Sequence, residues 1–144
     1  MMVFTNVLTI KSKNPAVKMM DITKKVEREV VKSKVTDGQV LVFARHTTAA
    51  VILQENEPGI GQDLHNILCG IAPQEGDWHH DRSSDHLKDK MPNGHSHAQH
   101  VFLGSSEIIP LCQGKMLLGT YQKIFLVELD RTRMRDIVVQ VTGE

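Results

Sequence analysis

The chain has 144 residues, 40% of them hydrophobic, enough for one domain spanning 1–144 that buries roughly two-thirds of its unfolded surface. Seventeen Lys and Arg balance seventeen Asp and Glu, so the excess positive charge of a sequence-independent nucleic-acid binder is missing. No run of about 18 apolar residues is present to span a bilayer, the opening residues lack the basic-then-apolar order of a secretory signal, and Cys69 and Cys112 stand outside any C-x-x-C spacing. The expectation is a cytoplasmic protein with reduced thiols and neither nucleic acid nor membrane as a partner.

In chain order, residues 3–10 alternate polar and apolar side chains as a half-buried strand does. After Pro15, the spacing of Ile22, Val26 and Val30 predicts a helix, with Asp21 or Thr23 placed to cap its first turn, and Asp37-Gly38 turns the chain. Residues 40–45 and 49–53 are apolar and β-branched enough for strands, with His46-Thr47-Thr48 between them or inside one bent strand. Pro58-Gly59 opens a second helix whose Ile60, Leu64, Ile67, Leu68 and Ile71 share a face, ending near Gly70 and Pro73.

Residues 74–92 show no clean period, and loops of that length inside a domain tend to be functional or disordered. Asn93 and Gly104 bracket a short helix over 94–103 as N-cap and stop; a strand placing His95 and His97 on one face is the alternative. Residues 108–112, 116–118, 121–129 and 135–142 read as an antiparallel meander joined by short turns. Strands at both ends and two to three helices between them predict a single layered α+β domain.

Histidine is the compositional oddity. Six of the eight (His79, His80, His86, His95, His97, His100) fall within residues 79–100, and the others are His46 and His65. A divalent metal needs three or four donors converging from separate segments, and neutral imidazole is the commonest. His46, His80 and His97 lie on three separate predicted elements, although no self-sufficient metal motif is present. His46-Thr47-Thr48 and Gln54-Glu55-Asn56-Glu57 project polar groups at strand ends, where sites are often assembled. The bland readings are solvated imidazoles, ordinary strand threonines and loop charges.

Charge is uneven along the chain. Residues 1–34 hold eight basic groups against three acidic, while residues 55–89 hold eight acids against Arg82 and Lys88. Such runs usually keep surfaces solvated; the functional alternative is a basic rim and an acidic flank around one pocket. Gly104, Gly114 and Gly119 form no phosphate fingerprint, Ser105-Ser106 lacks a nucleophile elbow, and Cys69 sits on an apolar helix.

HTTAAVILQENE at 46–57, WHHD at 78–81, NGHSHAQHVFLG at 93–104, GKMLLGTYQKIFLVELD at 114–130 and RTRMRDIVVQVTGE at 131–144 together resemble the YjbQ-like family. The resemblance implies an antiparallel α+β homotrimer with a histidine-lined polar pocket, often holding a metal. It also implies secondary thiamine-phosphate synthase activity: joining a pyrimidine-methyl diphosphate to a thiazole phosphate with loss of diphosphate.

Carried over, the resemblance gives His46, His80 and His97 as ligands of a divalent metal, zinc or magnesium. Glu55, His97 and Asn93 become catalytic candidates, and Thr47, Thr48, Asn56 and Gln122 contacts to a small phosphorylated metabolite. Two positions depart from the family pattern. Tyr121 replaces a tryptophan, and Gln99 stands where relatives often have a phosphate-holding lysine, a role left to Arg45 or Lys90. The alternatives are a non-catalytic trimeric metal- or metabolite-binding protein and a metal-dependent hydrolase.

Overall fold

The computed structural model describes residues 1–13 and 18–144; Pro15, after which the helical spacing is placed, lies outside them. Among the described residues, strands β1 (Met2–Lys11), β2 (Lys18–Asp21), β3 (Gly38–Ala44), β4 (Ala49–Glu55), β5 (Ser106–Cys112), β6 (Lys115–Met116), β7 (Gln122–Glu128) and β8 (Met134–Gly143) form two antiparallel sheets. The larger has the order β1-β8-β3-β5-β6 and the smaller β2-β7-β4. Helices α1 (Thr23–Ser33), α2 (Pro58–Ile71) and α3 (Gly94–Leu103) complete the expected α+β architecture, with a 3-10 turn at His79–Arg82.

Side-chain patterning explains why the strands separate into these sheets. In β3 and β8 alternate residues are buried: Val40, Val42 and Ala44 in one, Ile137, Val139 and Val141 in the other. They meet Ala49, Val51, Ile124 and Leu126 of the smaller sheet and Ile22, Val26 and Val30 at α1 in one core. The smaller sheet is covered on its other face too, where Ala50, Phe125 and Val127 pack with Leu68 of α2. A sheet buried on both faces reads as a continuous apolar run rather than an alternating one, as AAVIL and IFLV do.

The expected meander over the last four strands is corrected. β5 and β6 form a hairpin, but β7 crosses to the smaller sheet, and β8 inserts between β1 and β3. The short turns in the sequence are compatible with hairpins, but burial of β7 on both faces overrides local pairing. The four-residue β2, too short to show a period, is an addition to the predicted elements. At α1 the capping residue is Ile22, and Asp21 Oδ1 accepts the Thr23 N–H at 2.9 Å; Thr23 instead turns its hydroxyl to the Ile124 N–H at 2.8 Å. At α2, Glu57 accepts the Ile60 N–H and Pro58 begins the first turn.

Candidate functional site

Because β3 and β4 belong to different sheets, His46-Thr47-Thr48 is the crossing between layers, and β8 ties it down at successive points. The Arg45 N–H reaches the Asp136 carbonyl at 3.2 Å. The Asp136 N–H donates to His46 Nε2 at 2.7 Å. Arg135 Nη2 donates to the Thr48 carbonyl at 3.2 Å and to Thr48 Oγ1 at 3.0 Å. Arg135 is itself buried, and its guanidinium forms an ion pair with buried Glu128, donating through both Nε and Nη2.

The start of α3 is fixed against the same end of the smaller sheet. Asn93 Nδ2 donates to Asp130 Oδ2 at 3.0 Å, and Ser96 Oγ donates to the Leu129 carbonyl at 2.7 Å. Asn93 therefore occupies the N-cap position without capping through its side chain; Asp81 Oδ1 accepts the Gly94 N–H instead, at 2.8 Å. A glycine is required at 94, since a Cβ there would stand 2.6 Å from Trp78 Cβ and 3.0 Å from Asp81 Oδ1. The close approach brings His80 to α3: its ring lies 4.4 Å from that of His97 and 4.1 Å from that of His86, while its Nδ1 meets Asp81 Oδ1 at 2.9 Å. His86 Nδ1 in turn meets Asp89 Oδ2 at 2.8 Å.

These elements enclose an open cavity of about 560 Å³ that gathers His46, Thr47, Thr48, Asn93 and His97 with Arg45, Ser105, Arg133 and Arg135. Arg133 is paired with Asp130 at 2.9 Å and Arg135 with Glu128; Arg45 has no ion-pair partner among the described residues. Burial, then the Arg135 charge, lower the pKa of His46 against the pull of Asp136 and Glu128. Burial, then neighbouring His80, lower that of His97, and burial also lowers His95 and His100. Burial works to raise the Asp81 carboxyl, but hydrogen bonds from His80 and the Gly94 N–H hold it below the usual range. The cavity thus presents neutral imidazoles, hydroxyls, an amide and guanidinium groups, a donor-rich surface suited to an anion.

The expected set does not assemble as a whole. Glu55 ends β4 and Gln122 begins β7, opposite one another, and the seven residues of β4 put them roughly 23 Å from Thr48. Glu55 and Asn56 line a separate hollow of about 420 Å³ with Lys18, Glu57, His65 and Phe125. Asn56 is bonded to Asp21 at 3.1 Å, and Gln122 accepts the Gly119 N–H at 2.8 Å. Gln99 is buried and bonded to the Ala72 carbonyl at 2.9 Å, so it does not face the cavity. Of the two cations named as substitutes for a lysine there, Arg45 lines the cavity.

His46, His80 and His97 do not fit together as a metal-ligand trio. The Nε2 lone pair of His46 is taken by the Asp136 N–H, His80 and His97 are stacked rather than splayed, and among the described residues no three His, Cys, Asp or Glu side chains converge as a metal site. Sequence reasoning gave no role to Asp81, Arg133, Arg135 and Asp136. The signals for them were the acid directly after His80 and the alternating arginines of RTRMRD.

Against known proteins, the family described as UPF0047 protein YjbQ-like matches residues 6–144. A UPF0047 protein of Methanothermobacter thermautotrophicus is 35% identical over 144 residues, covering 100% of this chain and 95% of the relative. Among solved structures, a protein of unknown function from Sulfolobus solfataricus superposes with TM-score 0.89 at 33% identity, covering 99% of each chain. A hypothetical protein from Aeropyrum pernix K1 gives TM-score 0.87 at 32% identity, covering 98% of this chain and 99% of that one.

Proposed function

Since the chain belongs to the UPF0047 YjbQ-like family, we propose that its His46–His97 cavity binds a small phosphorylated metabolite and supports a thiamine-phosphate synthase-like transfer. In that reaction the bond from the pyrimidine methyl carbon to a diphosphate oxygen breaks as a bond to the thiazole nitrogen forms. The bonding pair leaves with diphosphate. What such a step asks of a protein is stabilisation of the departing anion and orientation of two rings, more than a strong nucleophile.

One observation carries the reading: the crossing between the sheets and the start of α3 aim His46, Thr47, Thr48, Asn93 and His97 at a single volume beside Arg45 and Arg133. Hydroxyls and imidazole N–H groups would bind diphosphate oxygens, Arg45 would supply unneutralised positive charge, and Asn93 would orient the acceptor. No step is assigned to a metal, because the expected trio does not fit one.

A second reading, a trimeric metabolite-binding protein without turnover, is favoured by the position of Glu55. The carboxylate expected to move a proton or orient a ligand lies at the other end of the smaller sheet. Both readings include a homotrimer, supported by the apolar outer face of the larger sheet, where Val7, Phe43 and Ile108 are exposed. They also include a cytoplasmic setting, supported by the free Cys69 and Cys112.

The test is thiamine-phosphate formation by the purified protein, with diphosphate binding followed by calorimetry. The transferase reading expects turnover, lowered at least tenfold by Asn93→Ala and by His97→Ala. Diphosphate binding without turnover establishes the second reading, and absence of both refutes the assignment of the cavity.

A further inference from the structure

We propose that His46 serves the cavity as a fixed hydrogen-bond donor through Nδ1–H, directed at a phosphoryl oxygen, and that Arg135 and Asp136 of β8 are the positioning residues that hold it and Thr48 in that role. The inference rests on the phosphate-binding reading above and specifies which proton each wall residue presents.

A backbone N–H can only donate. With the Asp136 N–H 2.7 Å from His46 Nε2, that nitrogen must present its lone pair, and a neutral imidazole with a bare Nε2 carries its proton on Nδ1. Turning the ring over would replace Nε2 by a carbon and leave the Asp136 donor facing nothing, so the hydrogen-bond network selects the ring orientation as well as the tautomer. Nδ1 has no partner among the described residues, and His46 lines the cavity.

Thr48 is set by the same strand. Its Oγ1 accepts from Arg135 Nη2 at 3.0 Å, which commits an oxygen lone pair and leaves the hydroxyl hydrogen to donate. Its carbonyl takes the Leu129 N–H at 3.1 Å and Arg135 Nη2 at 3.2 Å, so its backbone is held from two sides. Arg135 is locked by Glu128, which also accepts the Leu129 and Asp130 N–H groups. None of this orientation comes from the neighbours of His46 and Thr48 in the run Arg45-His46-Thr47-Thr48; the adjacent pair Arg135-Asp136, 87 to 90 residues downstream, does the orienting. A wall built this way offers N–H and O–H donors to an anion and no His46 lone pair to a cation.

The experiment uses the full chain with 15N-labelled histidine and long-range proton–nitrogen correlation at neutral pH, titrated separately with inorganic phosphate and with zinc. The expected result is His46 protonated on Nδ1 and bare on Nε2, the reverse of the form free histidine prefers. Its Nδ1 proton should shift with phosphate, and its nitrogens should stay unmoved by one equivalent of zinc. Thr48→Val, which removes the donor and keeps the shape, should raise the phosphate Kd about two- to tenfold, with Thr48→Ser restoring it.

An Nε2-protonated His46 with phosphate bound, or zinc-induced shifts at His46, overturns the inference. No phosphate binding with the Nδ1–H form intact instead refutes the phosphate-binding reading and confirms the tautomer.

Discussion

Replacing Arg135 with Met is expected to cost about 3 kcal/mol of folding stability, the lower part of the range for removing one member of a buried ion pair. Glu128, 1% exposed, would keep its charge but lose the guanidinium, retaining only the Leu129 and Asp130 N–H donors at 3.1 and 3.0 Å. Those two bonds argue against the upper part of the range, because they continue to solvate the carboxylate. With a urea m-value of about 2 kcal/mol/M for a chain of this size, the midpoint falls by roughly 1.5 M.

The double variant Glu128→Gln/Arg135→Met removes both charges while leaving an amide oxygen for the same two backbone donors. It should recover about 2 kcal/mol relative to Arg135→Met alone, the coupling expected of groups in one network. Urea denaturation of the unmodified protein, Arg135→Met, Glu128→Gln and the double variant measures this, at one fixed concentration because the proposed assembly would contribute to apparent stability. A double variant whose loss equals the sum of the single losses, or an Arg135→Met midpoint shift below about 0.5 M, refutes the assignment of Arg135 and Glu128 as a mutually dependent brace.

Four other outcomes follow from the same geometry. Gly94→Ala should destabilise by about 1–3 kcal/mol through overpacking and change the fluorescence of Trp78, the single tryptophan, because the new methyl lands on that side chain; an unaltered emission spectrum and melting temperature contradict it. Gly38→Ala should be at least as damaging, since the added Cβ collides with the Thr142 carbonyl across the β3–β8 pair, and a melting temperature within 1–2 °C of the unmodified protein, well inside the roughly 2–4 °C that one kcal/mol moves a domain of this size, would disprove the close approach. Phe43→Glu on the outer face of the larger sheet should reduce the proposed trimer to monomers in light scattering, and an unchanged mass excludes that face as the interface. The lowered pKa values of His46, His95, His97 and His100 mean the unfolded chain binds protons first as pH falls. Stability should therefore be full above the ordinary histidine value of 6.5 and decline below it, by at most about 1.4 kcal/mol per pH unit for each extra proton taken up by the unfolded chain and less for these half-buried rings; a melting temperature that rises on acidification from pH 7 to 5.5 reverses the sign and the argument.

The elements were legible where burial imposes a period. The alternation in β1, the i, i+4 spacing of Ile22, Val26 and Val30, and the Pro58 start of α2 are local consequences of one buried face, and each appears with its expected limits to within a residue or two. Pairing was not legible, because the partner of a strand is chosen by which faces need covering. β7, buried from Ile124 to Glu128, can satisfy that demand only between α2 and the larger sheet, and the vacancy beside β1 is filled by β8 from the far end of the chain.

The same distinction divides the candidate site. His46, Thr47, Thr48, Asn93 and His97 were found because they flank strands and helices at one end of the smaller sheet. Glu55, Asn56 and Gln122 sit in equally conspicuous motifs at the other end, and nothing in a motif records which end of a strand it occupies. Of the basic N-terminal third, Lys18 shares the separate hollow with Glu55 and Glu57 of the acidic middle. The cations of the main cavity, Arg45, Arg133 and Arg135, come from outside both charge runs.

That origin bears on how the cavity keeps its shape. Loop residues hold a binding geometry only when other elements over-determine them, and here that role falls to the start of β8 and the corner joining it to β7. Leu129 receives Ser96 of α3 on its carbonyl and gives its N–H to Thr48; Asp130 takes Asn93 and Arg133; Arg135 and Asp136 take Thr48 and His46. Both walls of the cavity are therefore referenced to the same eight residues, 129–136, and a displacement of that corner would move the two walls together rather than change the distance between them.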